Sequence, residues 1–216
     1  MVFRRVIKTA QKLCWGLSAK IMPTAKNIPD LSGLPVHSHG VALNRFFRGG
    51  GPKDPIAYGL WMNFTRLVDV VVREYEFARI ELANSRDLSF PRVLVAIGYY
   101  ESLLTTLKRC INHLKALRRY YATHPSLKNL LPGNVGVLRS NVEGRITGMR
   151  DGIQHLEGQL IRGCIQKGEP LCLTPSTDGV VLGNLKISYT EIAKWIRELH
   201  TLAGNVASYV EPPESE

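Results

Sequence analysis

An apolar run long enough to cross a bilayer, which takes about 18–20 residues, is missing from this 216-residue chain. So is any C-x-x-C pair, because Cys14, Cys110, Cys164 and Cys172 stand far apart. That spacing argues against a zinc knuckle or a disulfide framework and favours free, buried thiols in a reducing cytoplasm. Acidic residues are absent before Asp30, while Arg4, Arg5, Lys8, Lys12, Lys20 and Lys26 all precede it. The rest of the chain holds 22 basic and 18 acidic residues, so most of the formal charge of +10 sits in the N-terminal arm. The body is therefore not a strong polyanion binder by charge alone. The glycines of "GGGP" are not followed by Gly-Lys-Ser/Thr, so a phosphate-binding loop is not expected there. His37 and His39 have no further ligand nearby in sequence and read as exposed loop histidines. No internal repeat supports a solenoid. No serine or cysteine triad, catalytic carboxylate pair or metal cluster can be assembled from the spacings, and no cofactor is expected.

What is present falls into three parts. Residues 2–21 place Phe3, Val6, Ile7, Ala10, Leu13, Cys14 and Leu17 at helical spacing, with lysines and arginines largely between them. This is the pattern of a basic amphipathic helix. Arg4, Arg5, Lys8 and Lys12 suit RNA phosphates or an anionic membrane surface. The same arginine-rich, acid-free character suits an organelle transit peptide. A third reading packs the apolar side on the domain or on a second copy. Pro23, Pro29, Pro35, Pro52 and Pro55 with the "RGGG" run at 48–51 then make residues 23–55 a linker or irregular wrap outside the core. The divisions expected are an arm and linker over 1–54, a helical domain over 55–210 and a disordered "EPPESE" tail over 211–216.

Within the domain the apolar period is helical. Leu60, Phe64, Leu67, Val71, Tyr75 and Ala78 predict a helix over about 56–84. Pro91 suits the first turn of a second helix running to about 123, with Leu94, Ile97, Leu104, Leu107, Ile111, Leu114 and Leu117 as its apolar line. A third seam follows through Val135, Leu138, Val142, Ile146, Met149, Ile153, Leu156 and Leu160. Residues 169–188 change period and read as two or three short strands around a turn at Asp178-Gly179. "SYTE", Ser188 to Glu191, is a capping box that opens the last helix. Its buried stripe is Ile192, Trp195, Ile196, Leu199, Leu202, Ala203 and Val206. The fold expected is mainly α: an up-and-down four-helix bundle with a small β-hairpin between its third and fourth helices.

One stretch of the third helix carries candidate chemistry. In "MRDGIQHLE", residues 149–157, Arg150 lies on the flank of the apolar seam, Asp151 nearly opposite it and His155 well round from it. Asp151 and His155 form an i, i+4 pair in which the carboxylate can bond to the ring. The plain reading is a solvent-facing acid–histidine pair beside an arginine. Arg150-Asp151-x-x-x-His155, on the third long helix of a bundle, also resembles the signature of the HEPN domains: an arginine, a polar residue, a short gap and a histidine. Glu157 is similar to the acid that some members carry two residues past the histidine. The resemblance covers about 56–210. It implies a homodimer that brings two motifs together and a metal-independent ribonuclease or RNA-binding protein of a defence or toxin type system. By that resemblance His155 acts as general acid/base, Arg150 stabilises the phosphate and Asp151 orients one of them. The mild basicity of the body, and the negative charge of Asp151 and Glu157, weigh against RNA at this place. The alternative is a non-enzymatic dimeric helical interaction module whose basic arm docks on a membrane or a protein partner.

Overall fold

The computed structural model describes residues 28–84, 90–123, 131, 134–162 and 172–210. Among these the chain is mainly helical, with five α-helices and a small three-stranded antiparallel sheet. They are α1 (Ser38–Arg48), α2 (Pro55–Asn84), α3 (Phe90–Ala122), α4 (Ser140–Ile161) and α5 (Tyr189–Ser208), with β1 (Thr174–Pro175), β2 (Gly179–Leu182) and β3 (Leu185–Ser188) between α4 and α5. No described helix is long and apolar enough to cross a membrane. The expected arm over 2–21 and the tail over 211–216 lie outside the described residues.

Helices α2 and α3 form the framework. Glu81 meets Arg92 at 3.7 Å, the Phe77 and Tyr99 rings lie 5.3 Å apart, and the Ser102 hydroxyl donates to Glu74 at 2.7 Å. These pairs step in opposite directions along the two helices, which therefore run antiparallel. The predicted α2 stripe is buried at Phe64, Leu67, Val71, Tyr75 and Ala78. The α3 line needs a correction at its start: Leu94 is exposed, while Val93, Ala96, Tyr100 and Leu103 turn inward. A one-residue rotation of the stripe at the first turn accounts for this, since neighbouring positions differ by about 100° around the helix.

Helix α4 sits at the edge of this framework. Ile146 and Met149 are fully buried, while Val142 and Ile153 are only partly covered. It is tied to α3 by Glu143, which accepts from Lys108 at 2.8 Å and from Lys115 at 2.6 Å. Those two ammonium groups hold the Glu143 carboxyl below the usual range. Helix α5 buries its whole predicted stripe, and Ser188 and Glu191 close the expected capping box.

The strands form one sheet in the order β1-β2-β3, pairing Val180 with Ile187 and Gly179 with Ser188. The tight turn between β2 and β3 falls at Gly183, whose φ of 57° suits glycine. The expected turn at Asp178-Gly179 joins β1 to β2, and the Asp178 backbone carbonyl accepts from Tyr189 N–H at 2.9 Å.

Residues 28–48 overturn the reading of a wrap outside the core. Ile28, Leu31 and Val41 are buried with the bundle, and residues 38–48 are helical. The start of α1 is satisfied by Asp69 of α2, whose carboxylate accepts from His37 N–H at 3.1 Å and Ser38 N–H at 2.8 Å. Gly49, at φ 60°, ends the helix, and Gly50 N–H returns to the Asn44 carbonyl at 3.1 Å. The segment before α1 lies on α2 as a strap. Leu31 N–H donates to Glu76 Oε1 at 2.6 Å, Tyr75 OH donates to the Pro29 carbonyl at 2.9 Å, and Arg79 bridges Glu76 and Asp30.

Candidate functional site

The sheet decides which sides of α4 remain open. Leu185 and Leu182 pack against α4 at Gly148 and Gly152. A Cβ on Gly152 would stand 2.7 Å from Leu182 Cδ2, so glycine there permits the close approach. With the sheet on that face and Ile146 and Met149 turned to the core, the polar trio is left on the outer surface.

Arg150, Asp151 and His155 all lie outside the core, as their phase predicts. Their pairing differs from the expected one. Arg150 Nη1 donates to Asp151 Oδ1 at 2.8 Å, so the carboxylate engages its neighbouring guanidinium and not the imidazole. Adjacency explains the difference: an arginine is long enough to curl back on residue i+1, whereas an i, i+4 contact needs both rotamers to converge. The His155 ring is exposed. His155 lies five positions after Arg150, which places them about 140° apart around the helix axis. Within one chain they occupy opposite flanks of α4. The Glu157 side chain and residues Arg4, Arg5, Lys8 and Lys12 lie outside the described residues.

His37, expected as an exposed loop histidine, instead has a partner in His200. His200 is buried, and its Nε2 lies 2.7 Å from the Pro35 carbonyl, which accepts. The His37 ring stacks on it with centroids 4.1 Å apart. Burial and the neighbouring His200 lower the His37 pKa, partly offset by Asp69. These rings join the strap to α5 and are structural. Cys110 is likewise inert, since burial pushes its thiol up to about 12. Among the described residues, no three His, Cys, Asp or Glu side chains gather as a metal site requires.

Two surface features have no counterpart in the sequence reading. The first is a groove of about 590 Å³ between α2 and α3, lined by Arg73, Glu74, Phe77, Val95, Tyr99 and Ser102. Phe77, Ile80, Leu94 and Val95 are all more than two-fifths exposed on this face. The second is the outer side of α1, where Leu43, Phe46 and Phe47 face solvent. The periodicity of α2 and α3 identifies their inward stripes but does not mark the outward apolar residues as neighbours, because that needs the register between the helices.

No protein-family model, curated protein or solved structure matches the chain.

Proposed function

We propose that this protein is a non-enzymatic helical interaction module that pairs with a second copy through its α2–α3 face. The bundle is the up-and-down arrangement of α2, α3, α4 and α5, with the sheet inserted between the last two. The observation that carries the reading is the open apolar groove between α2 and α3, flanked by half-exposed Phe77, Ile80, Leu94 and Val95. Contiguous apolar surface of this kind marks an interface. Its charges suit a twofold contact, because Arg73 and Glu74 are neighbours on the groove wall and can meet their opposites when the same face is presented twice. The basic arm over 2–21 supplies a further attachment, to a membrane or a protein partner. In sedimentation velocity across the micromolar range the chain is expected to run at twice its monomer mass. A monomer throughout that range would remove the reading.

A second reading is the HEPN-like ribonuclease or RNA-binding protein of a defence or toxin type system, working in the cytoplasm. The exposed ring of His155 favours it, since an unburied imidazole is open to a substrate proton. The Arg150–Asp151 pair and the 140° separation weigh against a complete site in one chain. Cleavage would need His155 of one copy opposite Arg150 of another. This reading expects single-stranded RNA to be cut in the presence of EDTA, and His155→Ala to abolish cutting without altering the circular dichroism spectrum. Intact RNA at every protein concentration tested would exclude the nuclease.

A further inference from the structure

Two imidazole rings fasten the junction between the strap and α1 to the bundle. The His37 and His200 rings lie with centroids 4.1 Å apart and their planes tilted by 38°. His200 is buried on α5, and its Nε2–H donates to the Pro35 carbonyl at 2.7 Å. The His37 ring also covers Gly204, about one turn further along α5, where a Cβ would stand 3.1 Å from its Cε1 and Nε2. Glycine there leaves the ring its seat. The rest of the junction depends on the same few residues. The backbone N–H groups of His37 and Ser38 donate to Asp69, and the His37 carbonyl accepts from Val41 N–H at 3.1 Å. Upstream, exposed Gly33 separates the junction from the clamp that Leu31 makes with Glu76. The junction can therefore open without breaking that clamp.

The pair has little negative charge to draw on. From α2, Asp69 acts on the His37 ring, but each of its oxygens already accepts from a backbone N–H. From α5, Arg197 precedes His200 by three positions and is itself a cation, held on the Asp30 carbonyl at 3.3 Å. Glu198 turns elsewhere, toward Gly136, where a Cβ would stand 2.7 Å from its carboxylate. On the strap, Asp30 is engaged with Arg79, and residues 31–36 carry no charge. On α1, His39 is exposed. Protonating both rings would thus set two cations 4.1 Å apart in a partly dehydrated seat, where like charges repel strongly. Burial first, and His200 second, hold the His37 pKa below its ordinary 6.5, with Asp69 opposing them.

We infer that His37 and His200 form an acid-sensitive latch: neutral rings hold residues 34–41 on α2 and α5, and protonation releases this junction while α2, α3 and α5 stay packed. The direction follows from linkage. A histidine that is harder to protonate in the folded chain than in the unfolded one contributes stability above its ordinary pKa, and that contribution is lost as the pH falls below it. The change belongs to mildly acidic conditions, from about pH 7 to about pH 5, where histidine is the side chain that ordinarily changes charge. Release uncovers the seat of buried Val41 and the face of α5 around Gly204, so acid exposes surface that is closed at neutral pH. The inference goes beyond the dimer reading and does not rest on it, because the latch lies between the strap and α5 and not in the α2–α3 groove.

The test is amide hydrogen exchange of the full-length protein at pH 7 and pH 5, read as protection factors so that the intrinsic pH dependence of exchange cancels. In wild type, protection at Ser38 and Val41 is expected to fall by about tenfold or more at the lower pH, while Ile192 to Leu199 of α5 change by less than about threefold. His37→Phe keeps a ring on the stack that cannot gain a charge, and the fall at Ser38 and Val41 is expected to shrink to less than about threefold. His37→Gln also removes the charge and gives the same result should the bulk of phenylalanine disturb the seat. Equal protection of wild type at the two pH values overturns the inference. So does a fall of wild-type size in these variants, or one that reaches α5 to the same extent, which would be global unfolding. Sedimentation mass alone bears on the dimer reading, so the two can fail separately.

Discussion

Replacing Glu76 with alanine lowers the stability of the fold by about 3 kcal/mol, the cost of breaking a buried charge pair. Glu76 is buried and does two jobs: one oxygen accepts from Leu31 N–H, and the other holds the mostly buried Arg79 at 2.7 Å. Alanine leaves a buried amide without its acceptor and a guanidinium without its nearest counter-charge. Asp30 remains to Arg79 at 3.3 Å, but it is well exposed and holds the charge less firmly. For a chain of this length a loss of that size lowers the melting temperature by roughly 6–12 °C. Glu76→Gln keeps an acceptor for Leu31 while losing the ion pair, so its melting temperature is expected between those of wild type and Glu76→Ala. Differential scanning calorimetry of the three proteins checks the order. An alanine variant that melts within a degree of wild type would show that the strap contributes nothing to the fold.

The second large effect is expected at Gly179, where β2 begins. A Cβ there would stand 2.2 Å from the carbonyl oxygen of Ile187 and 2.7 Å from Ser188 Cα. Both obstacles are backbone atoms of β3, so no side-chain rotation relieves them. Gly179→Ala must push β2 and β3 apart where Gly179 pairs with Ser188. Ser188 is also the residue that caps α5, so the displacement reaches the helix start. Overpacking costs typically 1–3 kcal/mol, and the rigid neighbours place this substitution at about 3 kcal/mol or above. Urea unfolding followed by tryptophan fluorescence reads the effect, since Trp195 lies on the first two turns of α5. An unchanged midpoint would contradict the geometry. Gly152→Ala makes a useful contrast: the atom it meets at 2.7 Å is the tip of Leu182, which can turn aside, and the loss should be smaller.

The sequence marks some elements far better than others. The helices α2, α3 and α5 are legible because each carries a long stripe and because proline or a capping box marks where it starts. Ser188 and Glu191 lie close enough in sequence to be read as a pair, and their bonds form as expected. Helix α1 is not legible, since its first N–H groups are met by Asp69, more than thirty residues away, and the glycines and prolines around it carry the signal of a loop. Glu76, His37 and His200 follow the same rule. Glu76 has Arg79 three residues on along the same helix, but it meets Leu31, and His37 meets His200, only when the strap crosses α2 and α5. At α4 the outward direction of Arg150, Asp151 and His155 follows from helical phase. The pairing of Asp151 does not, because adjacent Arg150 and more distant His155 compete for one carboxylate and local rotamers decide between them.

The most direct test of the proposed role places one charge in the α2–α3 groove. Val95 lines that groove and is about half exposed, so Val95→Asp introduces an acid without opening the core. Substitutions at such surface positions usually change stability by no more than about 0.5 kcal/mol. Sedimentation velocity of the variant beside wild type is expected to give one chain against two, with matching circular dichroism spectra and melting temperatures. A Val95→Asp protein that remains paired as tightly as wild type would contradict the account and move the contact to another face.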